Sequence, residues 1–102
     1  MAIQTSARPP QSGHAASSAA KIRVLRLGIV QGEYHWHKHD QEDECFIVLE
    51  GQLLVDVEGR GTVVLDRHLG YTVPKGVMHR TRALEKTVIL MVEAAGVTPT
   101  GD

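Results

Sequence analysis

A histidine-rich stretch at residues 33–44 contains the side chains best suited to chemistry. It reads EYHWHKHDQEDE, with His35, His37 and His39 at every second position and four acids among residues 40–44. Alternate side chains of a strand share one face and sit roughly 6.5–7 Å apart, so imidazoles spaced in this way can converge on one ion. Imidazole and carboxylate groups without a thiolate suit Mn, Fe, Co, Ni, Cu or Zn. The stretch therefore predicts a site for one divalent transition metal, and the ligand types leave its identity open.

Glu44 is the acid of this stretch that strand alternation places inside the protein. It begins an apolar run in which Phe46 and Val48 would share its face, while Cys45 would point away. A carboxylate among apolar groups needs a cation or hydrogen bonds to remain ionised. The two acids just before Glu44 are predicted to be solvated loop charges.

The rest of the chain predicts an all-β fold. From Lys21 onward, short β-branched runs are separated by turn residues at roughly eight to twelve positions, typical of a sandwich or barrel. The predicted strands cover residues 22–30, 33–39, 44–50, 52–58, 62–65, 71–74, 77–83 and 87–93. Such a sheet avoids open edges by closing into a small barrel or a double-sheet jelly roll. A barrel of about eight strands leaves interior space for packed side chains or one small ligand.

Composition and charge exclude several classes of protein. The 102 residues, 42% of them hydrophobic, suffice for one compact domain but not two. We assign residues 21–102 to that domain and residues 1–20, rich in Ala, Ser, Pro and Gln, to a flexible N-terminal arm. The net charge of -1, with acids and bases interspersed, argues against nucleic acid and membrane partners. The single cysteine and the lack of an apolar leader in residues 1–20 predict a cytoplasmic location.

Three large side chains are predicted to lie on the outer face of the barrel. Alternation turns Trp36 away from the histidines, and it places Arg80 and Arg82 on either side of an inward-facing Thr81. The arginines would face solvent or a partner chain, or anchor an anionic substrate. Residues 88–92 are apolar on both faces, as expected of a strand that is covered on both sides. These features predict a homodimer that pairs through a sheet face.

Two separated motifs in the chain resemble those of the cupin superfamily. Gly32-x4-His37-x-His39-x4-Glu44-x6-Gly51 is similar to the first cupin motif, and Gly70-x3-Pro74-x-Gly76-x2-His79 is similar to the second. The resemblance implies a cupin jelly roll, or double-stranded β-helix, whose metal ligands are His37, His39, Glu44 and His79. The chain is most similar to small single-domain cupins of the Cupin_2 type that are labelled mannose-6-phosphate isomerase-like.

A metal held in this way predicts a metal-dependent enzyme acting on a small oxygen-rich molecule in the barrel. The ion could serve as a Lewis acid in an isomerase or lyase, or as a redox centre in a dioxygenase, and the sequence leaves both open. His35 is the candidate catalytic residue, because a histidine beside the ligands can move a proton or orient a substrate. The alternative is a non-catalytic sensor module that binds a metal or a small ligand. A metal-free cupin epimerase ranks last, since it needs a His-Asp pair in place of the ligand set.

Overall fold

Strands make up the regular structure of the part of the chain that can be described. The computed structural model describes residues 2–5, 23–94 and 101, and for residues 2–5 only the backbone. The strands are β1 Ala2–Thr5, β2 Arg23–Glu33, β3 Glu44–Glu50, β4 Leu53–Val57, β5 Gly61–Leu65, β6 Gly70–Val73 and β7 His79–Ala94. The predicted all-β class is confirmed. No helix within these residues is long and apolar enough to cross a membrane.

The long strand β7 organises the sheet. One of its edges pairs antiparallel with β2, from Arg23 opposite Ala94 to Glu33 opposite Arg82. Its other edge pairs first with β4 and then, at residues 88–92, with β3. β1, β5 and β6 complete the sheet by pairing with β2, β4 and β3. All seven strands thus belong to one antiparallel sheet, which curls around its inner face as a small jelly roll.

The inner face of the curled sheet carries the hydrophobic core. Its buried members are Val30, Phe46, Val48, Leu53, Val55, Val57, Leu65, Val73, Ala83, Ile89 and Met91. In β3 the buried positions alternate with half-buried ones, so Glu44, Phe46 and Val48 face inward while Cys45 and Ile47 face outward. The predicted inward phase of Glu44 is confirmed. The strand that carries this acid is therefore anchored by apolar side chains on the same face.

Residues 34–39 do not form the strand that was predicted for them. After β2 the chain runs beside β7 with a single bridge, between His37 and His79. The register of β2 on β7 shifts between Val30 and Gly32, and Gly32 has a φ of 86°. A bulge of this kind bends a strand and interrupts its ladder. Pairing resumes at Gly32 and ends at Glu33, so regular strand alternation stops just before the histidines.

The strands predicted at residues 77–83 and 87–93 are one continuous strand. β7 runs without interruption from His79 to Ala94. The residues between the two predicted strands, 84–86, contain neither Gly nor Pro and are exposed. They lie where the neighbour of β7 changes from β4 to β3 and where its register with β2 shifts, so the ladder has a gap on both sides while the strand continues.

The first residues of the predicted flexible arm also differ from the prediction. Residues 2–5 form β1, with Ala2 opposite Ile29 and Thr5 opposite Arg26 of β2. The outer edge of β2 offers unpaired backbone groups, which an extended segment can satisfy. Residues 6–20 of the arm lie outside the described residues.

The junction between β3 and β4 depends on Gly51. Its φ is 90°, and a Cβ there would lie 2.6 Å from Thr87 Oγ1 and 3.0 Å from the Lys86 carbonyl oxygen. The hydroxyl of Thr87 is held in place, because it accepts from the Gln52 N–H at 3.2 Å and donates to the Gln52 carbonyl at 3.0 Å. Through these bonds the Thr87 side chain joins β7 to Gln52 at the point where the backbone ladder of β7 is interrupted. A side chain at position 51 would displace it.

Gly51→Ala is expected to lower the free energy of unfolding by about 2–4 kcal/mol. Left-handed backbone costs a non-glycine residue roughly 1–2 kcal/mol, and the displaced Thr87 hydrogen bonds add about 1–2 kcal/mol. Gly59→Ala is the matched control, because φ there is 79° but no atom lies within 4 Å of the added Cβ. Chemical denaturation of both variants measures the difference. Equal losses would show that the contact with Thr87 is unimportant.

Candidate metal centre

Four buried polar side chains meet where residues 37–44 pass the start of β7. His37 and His79 lie opposite each other, and each donates its backbone N–H to the other's carbonyl at 2.9 Å. The exposed fractions are 8% for His37, 4% for His39, 3% for Glu44 and 1% for His79. One ligand atom from each residue lies within 4.8 Å of those of the other three. The structure therefore brings together all four predicted ligands.

The carboxylate oxygen Oε1 of Glu44 is the centre of this group. The Nε2 atoms of His79, His39 and His37 lie 3.0, 3.4 and 3.9 Å from it. Two ligand atoms bound to one ion at about 2.0–2.2 Å are themselves roughly 3–4 Å apart. The distances thus fit four atoms arranged around a transition metal. The donor set of three imidazoles and one carboxylate suits the same metals as the sequence predicts.

Backbone carbonyls fix which nitrogen of two histidines faces Glu44. His37 Nδ1 lies 2.9 Å from the His35 carbonyl oxygen, and His79 Nδ1 lies 2.9 Å from that of Val77. A carbonyl oxygen only accepts, so each Nδ1 carries the hydrogen and the neutral ring presents a lone pair on Nε2. Two lone pairs therefore face a carboxylate oxygen in a buried space. A cation placed between them satisfies all three atoms.

Burial and hydrogen bonding set the charge of the group. Burial lowers the pKa of His37, and this outweighs the opposing effect of its bond to the His35 carbonyl. Burial alone would raise the pKa of Glu44, but the close contacts of its carboxylate with the His39 and His79 side chains bring that pKa below its ordinary value. At neutral pH the group is accordingly an anionic carboxylate beside a neutral His37. Its charge and its geometry both fit a divalent ion.

The predicted catalytic residue, His35, lies beside the four ligands rather than among them. Its side chain is exposed, and its ring centroid is 5.2 Å from that of His37. The Tyr34 ring lies 4.4 Å from the His35 ring and 5.4 Å from the His37 ring. Tyr34 and His35 were predicted to point to opposite faces, which is wrong because residues 34–39 form no regular strand. A catalytic role for His35 stays a prediction.

A small cavity opens next to the candidate ligands. Its volume is about 50 Å³, and its lining residues are Val30, Gln31, Gly32, Glu33, Tyr34, Thr81 and Arg82. Tyr34 connects the cavity to the ligand group through its ring contact with His37. Thr81 faces inward on β7, two residues from His79. Tyr34 and Thr81 each bring a hydroxyl group to the residues that line this cavity.

Hydrogen bonds from residues 75 and 76 hold residues 39–43, which carry or precede two candidate ligands, in place. The predicted loop charge Asp43 is exposed, and its Oδ1 accepts the Lys75 N–H at 2.9 Å. The Gly76 N–H donates to the His39 carbonyl at 2.7 Å. These bonds tie residues 39–43 to the turn that leads into β7. The two ligand-bearing parts of the chain are therefore fixed relative to each other by backbone contacts.

The described C-terminal residue, Gly101, packs directly on a candidate ligand. A Cβ at this position would lie 2.7 Å from His37 Cβ and 3.1 Å from the Lys38 carbonyl oxygen. Its φ of 97° is also in the region that favours glycine. The backbone at residue 101 therefore covers one side of His37.

Arg80 and Arg82, which face outward, both bind Asp56, an acid that was not predicted to have a role. The Nε atoms of Arg80 and Arg82 donate to Asp56 Oδ2 at 2.8 and 2.7 Å. The Arg80 guanidinium also lies 5.2 Å above the Trp36 ring, and Trp36 is 44% exposed. The predicted outward orientation of these three side chains is thus present in the structure. Asp56 offsets much of the charge with which the arginines would attract an anion.

A second buried acid, Glu93, was also missed. It is 1% exposed, and Arg26 Nη1 donates to its Oε2 at 3.0 Å. Burial raises the pKa of Glu93 to about 8, and the neighbouring Glu44 carboxyl adds to the rise. A signal was present in the sequence, because Ile89 and Met91 face inward and alternation then turns Glu93 inward as well.

Known proteins share this fold. A family model described as a cupin domain matches residues 28–93. The uncharacterized protein YdbB of Bacillus subtilis (strain 168) is 45% identical over 82 residues, which are 78% of this chain and 73% of that protein. A crystal structure of a cupin-2 domain containing protein from Shewanella frigidimarina is 36% identical with a TM-score of 0.68, over 71% of this chain and 70% of that one. Hydroquinone 1,2-dioxygenase PnpCD, solved with Cd2+ and 4-hydroxybenzonitrile, is 21% identical with a TM-score of 0.62, over 78% of this chain and 61% of that one. At that identity the last match concerns the fold alone.

Proposed function

This chain belongs to the cupin domain family, and from that membership we propose that it is a metal-dependent enzyme acting on a small oxygen-rich molecule. The observation that carries the proposal is the buried group of three imidazoles and one carboxylate, His37, His39, Glu44 and His79. A divalent ion bound there would polarise a carbonyl or hydroxyl oxygen or, if redox-active, support dioxygen chemistry. The reaction is therefore an isomerisation, an elimination by a lyase, or a dioxygenation.

The residues around the group would bind and orient the substrate. The Tyr34 and Thr81 hydroxyls line the cavity and would donate hydrogen bonds to substrate oxygens, which fixes the reacting end beside the ligands. His35 stands at the exposed side of His37 and would exchange a proton with the substrate. The cavity of about 50 Å³ suits the small end of a molecule rather than a whole sugar. The substrate would thus enter by a carbonyl, hydroxyl or carboxyl group.

The comparisons support an enzyme of this general kind. Hydroquinone 1,2-dioxygenase PnpCD has a similar fold and, by its description, acts on a small oxygen-bearing aromatic and was solved with Cd2+. The same chemistry is a candidate for this chain because its ligand set suits redox-active metals as well as zinc. Hydroquinones therefore belong among the first compounds to test, together with diketones and sugar acids.

The test loads the metal-free protein with Mn2+, Fe2+, Co2+, Ni2+, Cu2+ or Zn2+ in turn. Elemental analysis should find one ion per chain, and at least one loaded form should consume oxygen with a hydroquinone or diketone, or convert a sugar acid in an NMR assay. Uptake of no metal would refute the metal centre. Uptake without conversion of any compound would instead favour a non-catalytic binding module.

A second arm of the same experiment separates binding from catalysis. His35→Ala should keep its metal content but lose turnover by about 10²–10⁴-fold, the usual contribution of a general acid or base. The control is His68→Asn, which removes an exposed histidine whose φ of 72° asparagine tolerates. If His35→Ala turns over as fast as the control, His35 has no catalytic role.

The alternative is a non-catalytic module that senses a metal or a small ligand. The depth of the group favours it, since His39, Glu44 and His79 are each at most 4% exposed. A site closed to this degree holds an ion well but gives a substrate little access. This alternative predicts tight metal uptake and no turnover for every metal in the series.

A further inference from the structure

Glu93 is a buried acid that the four candidate ligands do not account for. Its side chain has 0% of its surface exposed. In the antiparallel ladder of β3 and β7, Cys45 pairs with Val92, so Glu44 and Glu93 occupy the next pair of positions. Cβ atoms of directly opposed residues are about 4.5–5.5 Å apart. The two carboxyls therefore stand side by side on the inner face of the sheet.

Arg26 holds Glu93 from the neighbouring strand β2. Arg26 Nη1 donates to Glu93 Oε2 at 3.0 Å, and 14% of the Arg26 side chain is exposed. The other oxygen, Oε1, is buried and meets no hydrogen-bond donor among the residues that the structure describes. The Glu44 carboxyl occupies the neighbouring inward position across the sheet, and a proton shared between the two carboxyls would join them. Glu93 thus links Arg26 to a candidate metal ligand.

Fold stability alone gives a weak reason for this arrangement. The cost of removing Arg26 and the Glu93 carboxyl from water offsets most of their attraction, and apolar replacements of such buried pairs are often equally stable. Carboxylates and histidines that bind metals, by contrast, are commonly held by a second set of hydrogen-bonding groups. The position of Glu93 directly beside Glu44 fits a role in holding a metal ligand in place.

We propose that Glu93, anchored by Arg26, is a positioning residue that keeps Oε1 of Glu44 turned toward the three imidazoles. Glu93 is not among the four residues whose ligand atoms converge, so its effect on the metal is indirect. Without it the Glu44 side chain is free to rotate away from the histidines. The inference rests on the metal-binding part of the proposed function.

The test compares three changes at this position by titrating the protein with Co2+. Glu93→Leu should weaken Co2+ binding about 10–100-fold, the usual cost of losing such support, and should change the visible absorption of bound Co2+. Glu93→Gln should stay close to wild type, because its amide can accept from Arg26 and donate to Glu44. The double variant Arg26→Met with Glu93→Leu removes both partners of the buried contact together, so Arg26 is not left buried without its partner.

Glu85→Leu on the exposed part of β7 is the control and should leave affinity and spectrum unchanged. The double variant should lose affinity as Glu93→Leu does. Wild-type affinity and spectrum in the double variant would overturn the positioning role, and so would equal losses in Glu93→Gln and Glu93→Leu. Failure of the wild-type protein to bind Co2+ would be a different result, because it refutes the metal centre itself.

Discussion

Glu44→Gln is expected to reduce the affinity for divalent transition metals by about 100-fold or more. Loss of a residue that only supports a metal ligand typically weakens binding by about 10–100-fold, and Glu44 is itself a candidate ligand. Glu44 is the one carboxylate in a group whose other members are imidazoles, so the substitution removes the anionic charge and leaves the shape. Its Oε1 lies within 3.0–3.9 Å of all three Nε2 atoms, so no other ligand contacts as much of the group. A neutral amide attracts a divalent ion far less than a carboxylate does.

Calorimetric titration of Co2+ or Zn2+ measures the change, and circular dichroism checks that the sheet is intact. Glu42→Gln is the control, because it makes the same chemical change two residues earlier on the loop outside the group. The control should bind metal as the wild-type protein does. Unchanged affinity in Glu44→Gln would mean that the ion binds elsewhere or not at all.

The candidate ligands could be predicted from the sequence, although strand alternation accounts for two of them only in part. His37 and His39 face inward as predicted, but residues 34–39 form no regular strand. β2 ends at Glu33, soon after the bulge at Gly32, and only the bridge between His37 and His79 continues its pairing with β7. The alternation therefore failed at Tyr34 and His35, whose tilted rings are in contact with their centroids 4.4 Å apart. A bulge depends on how one strand meets its partner across the sheet, and a single strand's sequence does not record that partner.

Acids on the inner and outer faces were harder to predict than the histidines. Glu93 lies at the end of an apolar alternation, where a charged residue usually marks the return to solvent. Its burial depends on Arg26, which is 67 residues away in the chain, and on Glu44 across the sheet. Asp56 likewise depends on two arginines from another strand. These groups are held by long-range partners, so the local pattern indicated at most that Glu93 faces inward and did not show what holds either acid.

The stability of the metal-free protein is expected to fall as the pH rises from about 6.5 to about 8. The pKa of Glu93 is raised to about 8 from an ordinary value of 4.5, so in this range the folded protein holds a proton that the unfolded chain has released. Unfolding then releases a proton, and the free energy of unfolding decreases by up to about 1.4 kcal/mol per pH unit. His37 has the opposite sign, because its pKa is lowered on folding. The contribution of His37 to the free energy of unfolding no longer changes with pH above the ordinary histidine pKa of 6.5. This value sets the lower limit of the pH range in which Glu93 is tested.

Glu93→Gln isolates the contribution of this acid. The glutamine amide does not titrate, so the decrease in the free energy of unfolding between pH 6.5 and 8 should be absent in this variant. The contribution of His37 below pH 6.5 is the same in both proteins. Denaturant unfolding at half-unit pH intervals gives both curves, and their difference removes every group the two proteins have in common. Below pH 4.5 Glu44 acts with the opposite sign, because its lowered pKa leaves the folded protein with fewer protons than the unfolded chain. Parallel curves above pH 6.5 would mean that Glu93 is ionised when folded, which is incompatible with a hydrogen bond in which Glu93 donates to an ionised Glu44.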